Sequence, residues 1–466
     1  MKREHAVVLG GSMAGLLAAR VLSAHFDRVT LIERDRFPAE PVFRAGVPQA
    51  RHVHVLWTRG REVVEVLFPG LEDTLRAAGA VEVGVPADVL WLTSAGWRRR
   101  FDVTGLLSCS RPLLDWAVRR RLCGSPDNGR APVDVLEGHH VTGLLPRGRD
   151  VAGVVLGSDG ELRADLVVDA TGRGSQAPSW LAALGYPAPP ETRVDPLLGY
   201  ASRYYAIPSG FDPGWKALYI QADPPATRRT GGLFPQEGGR WLCSLSGAGR
   251  DYGPTGEDAF LEFARGLRSP VLYEAIRDAE PLTPITAFRR TANHRRHYER
   301  LRAWPRGFVV TGDAACAFNP IYGQGMSVAA VAALALDRCL REPGTGFERR
   351  FQRGVARSAA GAWLVATGED LRYRETEAAH VRLRTRVINA YVDEVVATAN
   401  VDRHVCERLV HVLALMAAPT SLFAPAVLAR VAANRVRRPA PVPMPVPSRP
   451  SHDRNAEAGD RAGRDR

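Results

Sequence analysis

The chain is 466 residues long, with 45% hydrophobic and 24% charged residues, the balance of an ordinary globular protein and not of a disordered or fibrous one. That length predicts two or three domains, with enough buried surface to dispense with disulfide or metal staples. The formal net charge is +12, but it is not one patch: residues 435–466 hold eight arginines against four acids in a segment containing PAPVPMPVPSRP, expected to be a disordered, solvated tail after about residue 438.

Arginine outnumbers lysine 60 to 2, so basic runs such as RRTANHRRHYERLRAWPR (289–306) reflect a general bias. No recognised nucleic-acid module surrounds them, and no nucleic-acid partner is expected. The six cysteines, at 109, 123, 243, 316, 339 and 406, form no Cys-x-x-Cys pair and no zinc-type spacing with histidine, so free thiols and no metal are expected. The amino terminus offers only a short apolar run before Gly10 and Gly11, and no segment reaches the roughly 18 apolar residues of a spanning helix. A cytoplasmic protein without a transmembrane segment is expected.

Residues 6–33 predict strand, tight turn, helix and strand: AVVLG, GSMAG, LLAARVLSAHF and RVTLIE. Gly10, Ser12 and Gly15 make a G-x-S-x-x-G variant of the dinucleotide-binding turn. Gly10 permits the turn and Gly15 permits close packing of helix on strand. The first N–H groups of the helix can hold a pyrophosphate. Ser12 puts a Cβ where the backbone should approach the phosphates, which weakens the match. Glu33, at the end of the second strand, stands where a carboxylate can accept from a ribose diol.

Short strands with turns follow over 133–169, as VDVLEG, HVTGLLPRG, VAGVVLGSDG and ELRADLVVDATGRGS, read as a meander that ends in an apolar strand and a second Gly-rich turn. Alternating aromatic segments at 197–247, among them LGYASRYYAI, WKALYIQA and GGRWLCSLSG, predict a separate antiparallel sheet. GFVVTGDAA is a strand, NPIYGQG a loop, and MSVAAVAALALDRCL a helix, and 346–433 reads as mostly helical. No internal repeat is visible.

With GGSMAG and Glu33, DATGRGS at 169–175 and GDAACAFNPIYGQGMS at 312–327, the chain resembles the group A FAD-dependent monooxygenases over about residues 1–430. GVPQARHVHVLW (46–57) and CSRPLLDWAVR (109–119) are similar to segments of the bacterial flavin epoxidases of polyether polyketide biosynthesis. The resemblance implies an α/β fold. A Rossmann-like FAD domain would comprise 1–80, 100–190 and 285–345, an antiparallel-sheet substrate domain 81–99 and 191–284, and a C-terminal helical region 346–437.

It also implies a cofactor site. Gly10, Gly11, Ser12, Ala14 and Gly15 would line the pyrophosphate and Glu33 the adenosine ribose. Arg111 would serve the phosphate and ribityl side, and Asp313 a ribityl hydroxyl. Pro320, Gly323, Gly325 and Met326 would lie beside the isoalloxazine. Arg34, Val141, Thr171, Gly172 and Gly312 complete the set. Two readings stand for Asp313, ribityl ligand or helix cap, and two for Arg111, cofactor ligand or surface ion pair. A helix start aimed at the pyrimidine edge would stabilise the reduced flavin anion.

The implied activity is oxygen transfer from a flavin hydroperoxide to an alkene, an epoxidation in secondary metabolism of a polyketide or terpenoid-like intermediate. Aromatic hydroxylation is the alternative, with a halogenase, a prenyl reductase or a non-catalytic flavin module behind it. Molecular oxygen and a hydrophobic small-molecule substrate are implied with FAD. Many group A hydroxylases carry Asp-Gly where this chain has Thr171-Gly172, which leaves two electron sources open: transient NAD(P)H, or a separate flavin reductase. Tryptophan-type halogenases carry a Trp-x-Trp-x-Ile-Pro segment and an essential lysine, whereas this chain has no such segment and only Lys2 and Lys216.

Tyr204, Tyr219 and Phe234 are the substrate-pocket candidates, from a set that also holds Tyr200, Tyr205, Trp215 and Trp241. Half of that set should be core, because strand faces alternate. His52 and His54 read as structural histidines, and no general base is assigned.

Overall fold

The computed structural model describes residues 3–124, 130–157, 160–342, 344–378, 383–437 and 439–444. The expected tail beyond Met444 lies outside the described residues. At the centre of the first region is a five-stranded parallel sheet, in the order Phe308–Val310, Leu166–Asp169, His5–Leu9, Arg28–Glu33, Val133–Glu137. Ala6 to Leu9 and Leu166 to Asp169 are buried without interruption, the pattern of strands covered on both faces. The helices Met13–Leu22, Arg111–Leu122, Gly325–Arg341 and Phe347–Asp370 contribute side chains to its core.

The segments read as one meander over 133–169 separate. Val133–Glu137 joins the edge of the parallel sheet, while Gly143–Arg147, Asp150–Val155 and Glu161–Arg163 form a three-stranded antiparallel sheet beside it. The first helix also begins earlier than the apolar run suggests, at Met13, because the second half of the glycine turn is already helical.

The second region is a seven-stranded sheet, in the order Thr286–Phe288, Gly199–Ala206, Arg240–Gly247, Arg229–Gln236, Ala217–Ile220, Val89–Thr93, Gly96–Trp97. It is antiparallel except where Ala217–Ile220 meets Val89–Thr93. Alternation along the strands divides the aromatics. Tyr205, Trp215 and Trp241 pack under the helices Glu257–Arg265 and Val271–Ile276, so these three are core. Tyr204, paired through Leu242 to Phe234, and Tyr219, opposite Gly232, occupy the other face.

Val81–Pro86 lies outside this sheet and pairs with Asp102–Ser108 as a ribbon. The ribbon shares a core with the C-terminal helices Leu383–Ala399, Arg403–Leu413 and Pro425–Arg437. A four-stranded sheet, Cys316–Ala317, Asn293–Arg296, Glu191–Asp195 and Glu377–Ala378, links the regions. Among the described residues no helix is long and apolar enough to cross a membrane, and no three metal-binding side chains cluster.

Candidate functional site

Two helix starts converge where the parallel sheet ends. At the first, Gly10 has φ +94°, and a Cβ on it would stand 2.7 Å from the Ala170 carbonyl oxygen. A Cβ on Gly15 would be 1.8 Å from the Gly10 oxygen, so helix and turn touch backbone to backbone. Ser12 takes the N-cap position in extended conformation, yet its side chain makes no capping bond. Its hydroxyl instead accepts from Arg111 Nη2 at 2.8 Å. The first N–H groups of the helix are thus left for an outside acceptor, with the positive end of the dipole behind them.

Glu33 closes this end. Its carboxylate accepts the Gly11 N–H at 2.7 Å and the Asp35 N–H at 3.1 Å, and Arg44 Nη1 lies 3.0 Å away. Arg44 Nη2 also donates to the Gly11 carbonyl at 2.8 Å. Burial opposes the charge on Glu33, but Arg44 and the two N–H groups hold its carboxyl below the ordinary value. Arg34 is exposed, its Nε 3.8 Å from Asp35, and Val141 is half-buried against the first core.

The second start is the helix Gly325–Arg341. Gln324 precedes it without a side-chain cap bond. Ahead of it, Gly312 turns with φ +62°, and a Cβ there would be 2.6 Å from Ala14 Cβ, which sets the two helix starts side by side. Asp313 keeps 41% of its side-chain surface open and faces Arg173 at 3.7 Å. Its Oδ1 is 4.0 Å from where a Cβ on Gly325 would sit. Its recess pushes the carboxyl above the ordinary value, against the pull of Arg173 and Arg111. No described N–H donates to it, so the helix-cap reading finds no bond here.

Arg111 is a buried cation whose Nε donates to Asp115 at 2.8 Å, with 5% of its side chain open. The ion pair it makes is therefore interior, not on the surface. Thr171 and Gly172 sit in a turn tied to Asp169: the Thr171 N–H and hydroxyl donate to Oδ1 at 2.9 and 2.6 Å, and Ser175 donates to Oδ2 at 2.5 Å. Asp169 is consumed internally.

Between the helix starts and the second sheet runs the loop Asn319–Gly323, with Met326 buried just beyond it. Gly323 has φ +64°, and a Cβ there would lie 3.1 Å from Val55. Trp57 fastens the loop from outside, its Nε1 donating to the Tyr322 carbonyl at 3.1 Å and its N–H to Ser327 at 3.0 Å. Val55, Trp57, Tyr219 and Phe234 share one apolar cluster under the C-terminal helices. Tyr204 stands apart from it, its ring 6.4 Å from Phe43.

His52 and Ser202, and Ser202 and Ser244, are joined at 2.7 and 2.6 Å, and the Val53 N–H donates to Ser244. With the Val53 N–H donating to Ser244, the chain runs from Ser244 to Ser202 to His52 Nδ1, which puts the imidazole proton on Nε2, a buried N–H with no acceptor among the described residues. Burial, then Arg51, pulls His52 down to about 4. Burial and Arg111 pull His54 to about 3, so both rings are neutral near pH 7. His52 Nε2 and the hydroxyls of Tyr200 and Tyr204 are buried without a partner among the described residues.

Sequence reasoning passed over Arg44, Trp57, Arg173 and Asp370. Arg173 bridges Asp313 to the carbonyls of Ala292 and Phe318. A single arginine gives no signal among 60. Uncapped helix starts, glycines whose Cβ would collide, a carboxylate at the strand end and a recessed carboxylate at the second helix together fit an anionic dinucleotide with a polyol arm.

No family model matches the chain. Over 420 residues it is 32% identical to Protein Rv3254 of Mycobacterium tuberculosis, covering 86% of this chain and 87% of that protein. Among solved structures, the flavin-dependent brominase Bmp2 superposes with a TM-score of 0.64 at 15% identity, over 93% of this chain and 100% of that one. PqsL of Pseudomonas aeruginosa, described as a probable FAD-dependent monooxygenase, superposes with a TM-score of 0.59 at 18% identity, over 87% and 99%. The α/β fold with its parallel Rossmann-like sheet, mixed sheet and C-terminal helices is accordingly that of FAD-dependent monooxygenases and halogenases, and the chain belongs to the family of Protein Rv3254.

Proposed function

We propose that this protein is an FAD-dependent monooxygenase that epoxidises an alkene in a polyketide or terpenoid-like intermediate. The observation that carries the flavin assignment is the meeting of two uncapped helix starts with Glu33 behind one and the open Asp313 before the other. Bound FAD would supply the activation of molecular oxygen. The work of the chain is to bind, orient and exclude water. Gly10, Gly11, Ser12, Ala14 and Gly15 hold the pyrophosphate, with Arg111 beside Ser12. Glu33, Arg34 and Val141 take the adenosine side. Asp313, with Gly312, Thr171 and Gly172 near it, takes a ribityl hydroxyl, and Pro320, Gly323, Gly325 and Met326 flank the flat ring.

The domain division follows the same reading: a cofactor domain from 1–80, 100–190 and 285–345, a substrate domain from 81–99 and 191–284, and helices 346–437 as cover. Val55, Trp57, Tyr219 and Phe234 form an apolar wall that suits a hydrophobic substrate and keeps water from the ring. Tyr204, on the same face of the sheet but outside that cluster, would line the pocket beside Phe43. Electrons come from NAD(P)H or from a separate reductase. A halogenase reading is disfavoured by Lys216, whose ammonium is spent on Asp88 at 2.9 Å and on the Glu82 carbonyl, at the ribbon.

The test is an absorbance spectrum of the purified protein, followed by rapid mixing of its reduced form with oxygen and candidate alkenes. A flavin spectrum, a transient band distinct from reduced and oxidised cofactor, and alkene-dependent oxygen consumption support the reading. Protein that binds no flavin refutes it, and flavin that reoxidises alike with and without alkenes refutes the epoxidase assignment.

A further inference from the structure

Asp370, the last residue of the helix Phe347–Asp370, is completely buried. Its carboxyl group receives hydrogen bonds from three separate donors. Asn293 Nδ2 donates at 2.6 Å, Asn319 Nδ2 at 3.0 and 3.1 Å, and the Tyr322 hydroxyl at 2.7 Å. Two of these donors belong to the loop Asn319–Gly323. The third, on the strand Asn293–Arg296, also accepts the Asn319 N–H through its Oδ1 at 2.8 Å. Among the described residues the loop's other bonds are two short-range ones, Ile321 N–H to Asn319 Oδ1 and Gly323 N–H to the Pro320 carbonyl, and the one that Trp57 Nε1 donates to the Tyr322 carbonyl.

A short loop rich in Pro and Gly has little shape of its own, and internal turns of this kind do not fix it relative to the rest of the protein. An acceptor that binds three converging donors does. All three partners present hydrogens, an arrangement suited to an ionised carboxylate, and charge-assisted bonds are the strong ones. Burial and the carboxylate beside it keep the Tyr322 phenol protonated, so that it acts as the donor.

We propose that Asp370 is the positioning residue of the loop Asn319–Gly323, holding it at the edge of the cofactor ring through Asn319 and Tyr322. The proposal rests on the flavin reading above for what the loop faces, and on the hydrogen bonds alone for how the loop is held. Asp370 has no exposed surface of its own and acts through these two side chains. The loop is gripped at two kinds of point, by Asp370 at its side chains and by Trp57 at the Tyr322 carbonyl.

Amide hydrogen exchange of the full-length protein, followed by mass spectrometry, tests it together with the visible spectrum of bound flavin. At pH 8, where the Asp370 carboxyl is ionised, Asp370→Ala is expected to speed exchange in peptides spanning 319–323 by about tenfold or more, the effect of losing charge-assisted bonds. Exchange in the first helix should be unchanged, and the visible flavin band should shift. Asp370→Asn, which keeps one acceptor oxygen, should restore part of both. A folded Asp370→Ala protein with wild-type loop exchange and spectrum overturns the proposal. Should that variant fail to fold, Tyr322→Phe removes one donor and leaves the carboxylate in place. It is expected to speed loop exchange by about threefold, and unchanged exchange overturns the proposal equally. A wild-type protein without flavin defeats the flavin reading, while the exchange data still decide whether Asp370 holds the loop.

Discussion

Glu33 and Asp313 are both carboxylates at a cofactor cradle, yet they are built into the protein differently. Glu33 is bound by two backbone N–H groups and Arg44, so it is part of the turn as well as a candidate ligand. Glu33→Ala is expected to lower flavin content and also to destabilise the fold by about 1–3 kcal/mol, measurable as a lower urea midpoint. Asp313 makes no hydrogen bond among the described residues, faces Arg173 and, farther off, Arg111, and keeps an open face. Asp313→Ala should therefore lose flavin while its apoprotein keeps the urea midpoint of wild-type apoprotein, and full flavin content in that variant would remove Asp313 from the site.

Asp370 brings a dependence on pH. Burial raises its carboxyl to about 7 from 3.8, against the bonds from Tyr322, Asn319 and Asn293. The folded state thus binds a proton that the unfolded state has released, and this contribution to stability is full below about pH 4 and lost as pH rises through about 7. Melting temperature should fall across that window more in wild type than in Asp370→Asn; parallel curves would contradict it. Gly10, Gly15, Glu33 and Asp313 were legible because each sits at a fixed offset from a strand or helix. Asp370 was not, since 48 residues separate it from Tyr322 and only the fold brings them together.

At the level of elements, the first strand, turn and helix act as one packed unit. Gly15→Ala places a methyl 1.8 Å from the Gly10 oxygen, an obstacle that is backbone and not a side chain able to yield. A loss of about 3 kcal/mol or more is expected, comparable to Leu17→Ala, which empties a fully buried site at about 2–5 kcal/mol. Chemical denaturation of both variants checks this, and a Gly15→Ala protein as stable as wild type would mean that the turn relaxes. Apolar periodicity revealed these elements, but not their partners. Val133–Glu137 has the same alternating look as the strands after it, and only its register against Arg28–Glu33 makes it part of the parallel sheet. Likewise the alternation along Gly199–Ala206 shows that it has two faces without showing which one lies under helices.

The whole molecule is held by three large cores, one of which joins the ribbon, the edge of the second sheet and the C-terminal helices. Val395, Val405 and Val410 in those helices are fully buried against it. A chain ending at residue 378 should expose Trp91, Tyr219 and Phe234, bind a hydrophobic dye and aggregate. Dye fluorescence equal to that of the full chain would show that the helices are dispensable for covering the wall. Composition announced this cover only as a helical stretch, because what it covers is contributed by strands far away in sequence.

The order of strands in the parallel sheet bears on how the protein is made. The strand His5–Leu9 leaves the ribosome first, but its neighbour Leu166–Asp169 follows some 160 residues later, and the edge strand Phe308–Val310 and the second helix start arrive only after residue 307. The nascent chain must therefore carry an unfinished cradle through most of its synthesis. On the proposed function, flavin capture is a late event, and supply of the vitamin would govern the last stage of maturation and not the first.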